Sequence, residues 1–165
     1  MKKSLLILLS LFVTACSGAF VPQPPKADFV LVDKSQSRLY LMQRDEVLRS
    51  YDVSLGQNPI GHKVQEGDHR TPEGRYMLTY KNLQSSFYKS IRIDYPNEQD
   101  IARAVARGVS PGGDIVIHGM PNEVGNYLGP IKPKNWTQGC VAVRNHEMDE
   151  IWGLVDSGTP IEIRP

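Results

Sequence analysis

The sequence has few of the features that would assign a chain to a specialised class of protein. Its 165 residues include two cysteines, Cys16 and Cys140, which can form at most one disulfide bond, so a disulfide scaffold is excluded. Neither sign of charge predominates, because 19 basic and 18 acidic side chains give a net charge of +1. The basic residues are also scattered along the chain, which argues against nucleic acid as a partner. No apolar run reaches the about 20 residues that a membrane-spanning helix needs.

The first fifteen residues have the pattern of an export signal. Two lysines precede the apolar run Leu5–Val13, and the segment Val13-Thr14-Ala15-Cys16 follows it. This segment resembles the lipobox that is cut by the bacterial lipoprotein signal peptidase. The resemblance implies that residues 1–15 are removed and that Cys16 is lipidated, whereas the alternative is an ordinary signal peptide with a chance cysteine. Ser17 stands where a retention signal would have Asp, which favours anchoring in the outer membrane.

Beyond the signal, the chain divides into a tether and one domain. Residues 16–27 contain Cys16 and a proline-rich stretch without periodic apolar residues, which is typical of an extended linker. In residues 28–165, short or alternating apolar runs bounded by turn residues predict a domain that is mostly β. The predicted strands are Phe29–Val32, Arg38–Met42, Val47–Leu55, Arg75–Tyr80, Ser90–Asp94, Ile115–Ile117 and Pro160–Ile163.

Two helices are predicted among these strands. Asn97 is placed to cap the first helix, which would end at Gly108. Its buried face would consist of Ile101, Ala104 and Val105. Asn145 is placed to cap the second helix. The apolar residues of the second helix follow the i, i+3, i+4, i+7 spacing of one core-facing side, and they are Met148, Ile151, Trp152 and Val155.

The residues suited to catalysis lie in two short segments. The apolar run Ile115–Ile117 ends at His118 and Gly119, and Cys140 follows Gly139 shortly before the second helix. A thiol with an ordinary pKa of about 8.5 is a poor nucleophile at neutral pH unless a neighbouring group takes its proton. An imidazole within hydrogen-bond reach can be this base and can then protonate a leaving amine. Backbone N–H groups near the cysteine could hold an oxyanion, and Gly139 would leave room for a substrate carbonyl.

Each of these residues also has a structural interpretation. A single cysteine near a helix start is often a small buried apolar residue, and a histidine at a strand end often packs in the core. A zinc site is not indicated, because no CxxC or HxxxH spacing supplies further ligands. We expect His62, His69 and His146 to be exposed residues of loops or of a helix start. The residues alone therefore leave the Cys–His pairing open.

The order of several motifs resembles the signature of the YkuD-type L,D-transpeptidases. In that family a histidine precedes a [Ser/Thr]-x-Gly-Cys block, and here Ile117-His118-Gly119 precedes Thr137-Gln138-Gly139-Cys140-Val141. Upstream, residues 67–74 (GDHRTPEG) are similar to the G-D-x-x-T-P-x-G loop of the family. Shorter similar segments occur at residues 87–90, 95–97 and 111–114. The resemblance covers residues 28–165.

This resemblance implies a fold, a reaction and a set of partners. The fold would be a YkuD-like catalytic domain, mostly β with two short helices, in a β-sandwich or barrel-like arrangement. Cys140 would attack the diaminopimelate carbonyl of a tetrapeptide stem in peptidoglycan. His118 would act as general base and then as acid, while the Gly119 backbone would orient its ring or contribute to the oxyanion region. The acyl group would pass to an amine or to water, and neither a metal nor an organic cofactor is implied.

The residues that bind substrate are expected around this pair. Four of them are candidates for the walls of a substrate groove, namely Thr137, Gly139, Tyr88 and Trp136. Arg144 has a fork of donors that could bind a stem-peptide carboxylate, although a solvated surface arginine is the alternative. The two aromatic residues have a core position as their alternative. Thr71 and Pro72 could line the cleft or could form a structural turn.

Two positions depart from the common family pattern Ser-His-Gly-Cys-Ile-Arg. Gln138 replaces the second histidine and Ala142 replaces the arginine. This pattern resembles a divergent branch that includes an amidase releasing murein lipoprotein from peptidoglycan. Hydrolysis therefore stays open beside transpeptidation, and a non-catalytic peptidoglycan-binding tether is a third alternative. In each case we expect a lipid-anchored protein at the periplasmic face of the envelope.

Overall fold

Eight β-strands and two α-helices make up the computed structural model of the protein, which describes residues 25–124 and 135–165. The strands are β1 (Phe29–Asp33), β2 (Arg38–Gln43), β3 (Glu46–Asp52), β4 (Gly74–Ser85), β5 (Tyr88–Ile93), β6 (Val116–His118), β7 (Val141–Ala142) and β8 (Pro160–Arg164). The helices are α1 (Glu98–Ala106) and α2 (Asn145–Leu154), and Asn122–Val124 form a short 3-10 helix. The predicted mostly β fold with two helices is confirmed.

The predicted signal peptide and the lipidation site Cys16 lie outside the described residues. Within residues 25–124 and 135–165, neither helix combines the length and the apolar character that crossing a bilayer requires.

All eight strands form one sheet in the order β3-β2-β1-β8-β4-β5-β6-β7. The pairs β1–β8 and β6–β7 are parallel, and the other neighbours are antiparallel. The long strand β4 pairs with β8 through residues 74–77 and with β5 through residues 78–85. Its pairing with β5 shifts register between Leu78 and Lys81, and such irregularities bend a strand. Strand β4 therefore connects the two halves of the sheet.

The core lies between the sheet and α2. Alternate residues of β1, β2 and β8 are buried, as the period of two in a half-buried strand requires. From α2, Met148, Ile151 and Val155 are fully buried, and Trp152 is a partly buried residue that packs against them. The predicted apolar side of the second helix is therefore confirmed.

The first helix has a different buried side from the predicted one. Its N-cap is Asn97 as expected, with a side-chain oxygen that accepts from the N–H groups of Gln99 and Asp100. Ala104 is buried, but Ile101 and Val105 are 46% and 72% exposed. Helix α1 is turned so that the buried Asp100 carboxylate packs inward and accepts a hydrogen bond from Tyr76. The apolar residues on its outer side were therefore misassigned to the core.

Three further boundaries differ from the sequence-based expectation. The capping position of α2 belongs to Arg144, whose N–H donates to the Glu147 carboxylate at 2.8 Å. Asn145 is the first helical residue, and its side-chain oxygen accepts from the Met120 N–H instead. Strand β4 runs beyond Tyr80 to Ser85, and β7 was not predicted because two residues show no periodicity.

Candidate active site

The sheet places His118 and Cys140 on two neighbouring short strands, at opposite ends of the pair. His118 is the last residue of β6, and Cys140 directly precedes β7. These strands are parallel neighbours in which Ile117 pairs with Val141. The histidine and the cysteine both line one cleft of about 550 Å³. Its other described walls include two aromatic residues, two glycines and three charged residues, namely Phe87, Trp136, Gly112, Gly113, Lys63, Glu66 and Asp114.

The His118 ring is buried and fixed in one orientation. Its Nδ1 lies 2.6 Å from the Gly119 carbonyl oxygen. A carbonyl oxygen only accepts hydrogen bonds, so Nδ1 carries the proton and Nε2 has the free lone pair in the neutral ring. The ring centroids of Phe87 and Trp136 lie 4.6 and 5.6 Å from that of His118. The ring is therefore held by one backbone acceptor and two aromatic neighbours.

The surroundings of His118 favour its neutral form. Burial lowers the pKa of His118 to about 4, although the hydrogen bond to Gly119 acts in the opposite direction. At neutral pH the imidazole is therefore uncharged, and its Nε2 can accept a proton.

Cys140 is a free, partly exposed cysteine at the cleft. Its Sγ lies 3.6 Å from the Asp114 carbonyl oxygen, to which the S–H group donates. Burial raises the pKa of the Cys140 thiol, while a hydrogen bond with the Val116 backbone lowers it. The resting site thus holds a neutral thiol and a neutral imidazole, not a thiolate–imidazolium pair.

Thr137 and Gly139 shape the loop that carries the thiol. The Thr137 hydroxyl donates to the Cys140 carbonyl oxygen at 2.8 Å and accepts from the Gly139 N–H at 3.1 Å. Gly139 has a φ of +131°, and a Cβ atom there would lie 2.7 Å from the Arg70 carbonyl oxygen. The Arg70 backbone therefore occupies the side of Gly139 where a Cβ would stand, which accounts for the glycine, while the predicted approach of a substrate carbonyl stays a prediction. Thr137 also lines the cleft, so its predicted contact with substrate stays a prediction.

Tyr88 and Arg144 lie outside the described lining of the cleft. The Tyr88 hydroxyl donates to the Asp149 carboxylate at 3.0 Å, and Arg144 pairs with Glu147 at 2.8 Å. Both side chains thus contact α2, and their predicted contact with substrate stays a prediction. Trp136 does line the cleft, and its buried indole nitrogen has no hydrogen-bond partner among the described residues.

The loop of residues 67–74 packs against the segment that carries the Cys140 thiol. Thr71 is buried, and its hydroxyl accepts from the Gly56 N–H at 2.9 Å. Of the two alternatives for Thr71 and Pro72, the structure therefore supports the structural turn. The Arg70 carbonyl packs against Gly139, so this loop supports the cysteine segment.

His62 contacts the loop of residues 67–74 and is not an exposed loop residue. Its side chain is 20% exposed, and its Nδ1 accepts from the Glu73 N–H at 3.0 Å. Its Nε2 lies 3.1 Å from the Asp100 carboxylate. No local sequence signal marks these contacts, because the partners are distant in the chain.

The lining residues without an assigned role from sequence include Lys63, Glu66, Phe87 and Asp114. Asp114 has a φ of +53°, a left-handed conformation that is uncommon for residues other than glycine. The motif at residues 111–114 contains this residue and was the only signal that pointed to it. Within the described part of the chain, no group of three or more His, Cys, Asp or Glu residues is arranged to hold a metal ion.

Together, the fold and the cleft define a β-rich domain in which a buried neutral imidazole and a thiol line the same cleft. The family model of the YkuD L,D-transpeptidase catalytic domain matches residues 27–163. The chain therefore belongs to this family, and the expected YkuD-like fold is confirmed.

Relatives with known names agree with this membership. YafK of Escherichia coli K12, named as a candidate L,D-transpeptidase, is 30% identical over 112 residues, which cover 67% of this chain and 38% of that protein. The helical cell shape determining protein Pgp2 from Campylobacter jejuni is 27% identical with a TM-score of 0.57, and the match covers 82% of this chain and 46% of that one. An L,D-transpeptidase from Xylanimonas cellulosilytica is 18% identical with a TM-score of 0.54, and the match covers 86% of this chain and 62% of that one. This similarity supports the fold alone. The chain spans less than half the length of YafK and of Pgp2.

Proposed function

We propose that the protein is a peptidoglycan L,D-transpeptidase with Cys140 as its nucleophile. In this proposal Cys140 forms an acyl-enzyme on the diaminopimelate carbonyl of a tetrapeptide stem and passes the acyl group to an amine. The observation that supports it most directly is the cleft that both Cys140 and His118 line in a chain of this family. The helical cell shape determining protein Pgp2 is similar to this chain, which favours a role in cell-wall remodelling and cell shape.

The neutral state of the pair indicates how the thiol is activated. In the first step, Nε2 of His118 takes the proton of the Cys140 thiol as Sγ attacks the carbonyl carbon. The tetrahedral intermediate then collapses, the C–N bond breaks, and His118 returns the proton to the amine of the leaving D-alanine. An imidazolium with a pKa of about 4 is a strong acid for this purpose. In the second step, His118 takes a proton from the attacking amine, and the sulfur leaves with a proton from the ring.

Hydrolysis of the same acyl-enzyme is the second candidate function, and the positions that depart from the family pattern favour it. Ala142 is fully buried in β7, and Gln138 lines the cleft. Arg144 pairs with Glu147, and no arginine belongs to the described lining of the cleft. An arginine could hold the acceptor through bidentate contacts, so without one water competes better with an amine. Release of murein lipoprotein would be one such hydrolysis.

The proposed location depends on the first residues of the chain. The lipobox-like segment supports cleavage before Cys16, lipidation of its thiol and anchoring in the outer membrane. The domain would then be at the periplasmic face of the envelope, where peptidoglycan is within its reach.

One experiment separates the three alternatives. The purified protein is incubated with a disaccharide-tetrapeptide and, separately, with lipoprotein-linked muropeptide, and the products are weighed by mass spectrometry. A cross-linked dimer indicates transpeptidation, and tripeptide or freed lipoprotein alone indicates hydrolysis.

Cys140→Ser should lose nearly all turnover and should not be acylated by a carbapenem, whereas the wild-type protein should gain the mass of the drug. Binding without any turnover by the wild-type protein would support a non-catalytic tether.

A further inference from the structure

Lys63 is a buried cation in the lining of the cleft. Its residue surface is 3% exposed, although lysine is almost never buried without partners. Its Nζ donates to the Asp68 carboxylate at 2.8 Å and to the Gln65 carbonyl oxygen at 3.1 Å. An ammonium group has three N–H donors, so these two acceptors leave one donor. Because Lys63 lines the cleft, a ligand in the cleft can supply the third acceptor.

The position of Lys63 is fixed by a tight turn. The Asp68 carboxylate accepts from the backbone N–H groups of Val64, Gln65 and Arg70 as well as from Lys63. Burial raises the pKa of Asp68, but these hydrogen bonds lower it overall, so the carboxylate stays charged. A cation held in this way loses little side-chain entropy when it binds a ligand.

Lys63 is also the single lysine or arginine among the described residues that line the cleft. The two carboxylates of the lining, Glu66 and Asp114, belong to exposed residues, and water screens their charges. A buried charge acts over a longer range, because the surrounding dielectric constant is lower. Burial raises the pKa of Cys140, and the Lys63 charge is one of the contributions that lower it, so the two groups interact electrostatically.

We propose that Lys63 binds a carboxylate of the donor peptide and makes that carboxylate a requirement for fast acylation of Cys140. For the identity of the peptide, this inference rests on the proposed function. A tetrapeptide stem offers two carboxylates near the scissile bond, one on the terminal D-alanine and one on the side chain of diaminopimelate. Both present the same chemistry to an ammonium group.

A first test uses small alkylating agents and needs no peptidoglycan. Iodoacetate carries a carboxylate and iodoacetamide does not, and both alkylate Cys140. We expect Lys63→Gln to lower the ratio of the iodoacetate rate to the iodoacetamide rate by about tenfold, the effect of losing a charged hydrogen bond. Lys34→Gln is the matched control, because Lys34 is also a buried lysine in an ion pair, with Glu73, but it does not belong to the described lining of the cleft, so this variant should preserve the ratio. Lys63→Arg should preserve it as well.

A purely structural role of Lys63 predicts a different pattern. Loosening of the turn would change both alkylation rates together, so an unchanged ratio in Lys63→Gln would overturn the proposal. If Lys63→Gln fails to fold, the wild-type ratio is compared with that of N-acetylcysteine amide, a free thiol without a carboxylate. A wild-type ratio above that of the free thiol supports the proposal, and an equal or lower ratio overturns it.

A second test identifies the carboxylate. The kcat/KM of the wild-type protein is measured with the tetrapeptide acid, with its terminal amide and with its diaminopimelate side-chain amide. One of the two amides should react more slowly than the acid, and Lys63→Gln should remove this difference by slowing only the two peptides that keep the recognised carboxylate. A loss common to all three peptides would contradict the proposal. If the wild-type protein turns over none of them, the proposed function fails, and the alkylation ratio still decides whether Lys63 binds a carboxylate.

Discussion

At the scale of single residues, the proposed chemistry depends on whether one proton is on the Cys140 thiol or on the His118 ring. A thiolate–imidazolium pair would need a His118 pKa above that of Cys140, but burial has the opposite effect on each group. Since the free His118 lone pair is at Nε2, the ring would act, in the proposed mechanism, as a base when substrate arrives. This differs from cysteine enzymes in which the nucleophile is ionised beforehand.

The neutral state of the Cys140–His118 pair predicts an unusual pH dependence of acylation. The base form of His118 is lost only as pH falls through its pKa of about 4, and not through the ordinary value of 6.5. The kcat/KM for acylation by a carbapenem should therefore be retained to about pH 5 and should fall below that. A stopped-flow series from pH 4 to 8 in buffers of constant ionic strength measures this profile. An acid limb centred near the ordinary histidine value would contradict the neutral pair.

Gly139 gives a second prediction, with a control in the same chain. Gly139→Ala would place a Cβ atom 2.7 Å from the Arg70 carbonyl oxygen at a φ of +131°. We expect a loss of about 1–3 kcal/mol in the free energy of unfolding, together with slower alkylation of Cys140. Gly153→Ala lies within α2 and meets no atom within 4 Å, so it should be neutral or stabilising. Urea unfolding of both variants tests this, and equal stabilities would exclude close packing of the loops.

At the scale of elements, the thiol segment is held by a loop distant in sequence. The Thr71 hydroxyl accepts from the Gly56 N–H, and Gly56 forms a bridge with Thr137. The sequence motif at residues 67–74 therefore contributes through its backbone contacts, and it supports a segment that begins about seventy residues later.

Thr71→Val tests this support. The substitution keeps the shape of the side chain but leaves the buried Gly56 N–H without its acceptor, which costs about 1–3 kcal/mol. We expect lower stability in urea and slower acylation of Cys140. Thr79→Val is the matched control, because Thr79 is an exposed residue of β4. If the two variants behave alike, Thr71 does not position the cysteine segment.

The elements also show which features of a sequence can be interpreted locally. Strands β1, β2 and β8 alternate between buried and less buried residues, so their period was visible. The burial of Asp100 in α1 depends on Tyr76 and His62, and neither contact has a local pattern. Among site residues, His118 and Cys140 were found through motifs, whereas Lys63 was missed because its place in the cleft depends on the tertiary fold. Gly139 was identified as a site residue, but the position requires glycine because it packs against the Arg70 backbone, which is far away in sequence.

At the scale of the whole molecule, the proposed site requires delivery to its substrate. Cys16→Ala should abolish the incorporation of labelled palmitate and should leave the precursor uncut, because lipidation of the cysteine precedes cleavage in the lipoprotein pathway that the lipobox resembles. Cys140→Ala is the control, since it removes the other cysteine and should incorporate palmitate normally. Labelled cells followed by gel electrophoresis measure both results. Unchanged incorporation in Cys16→Ala would exclude the lipid anchor.

The place of β8 in the sheet governs the order in which the molecule can fold. This strand is the last in sequence, yet it lies between β1 and β4 and pairs with both. Until residues 160–164 are available, β1 and β4 each have an unpaired edge, and no strand joins β1–β3 to β4–β7. Long-range pairing of this kind slows folding. During synthesis the sheet therefore cannot close until β8 has emerged from the ribosome, so we expect the domain to complete its fold only after translation of this strand.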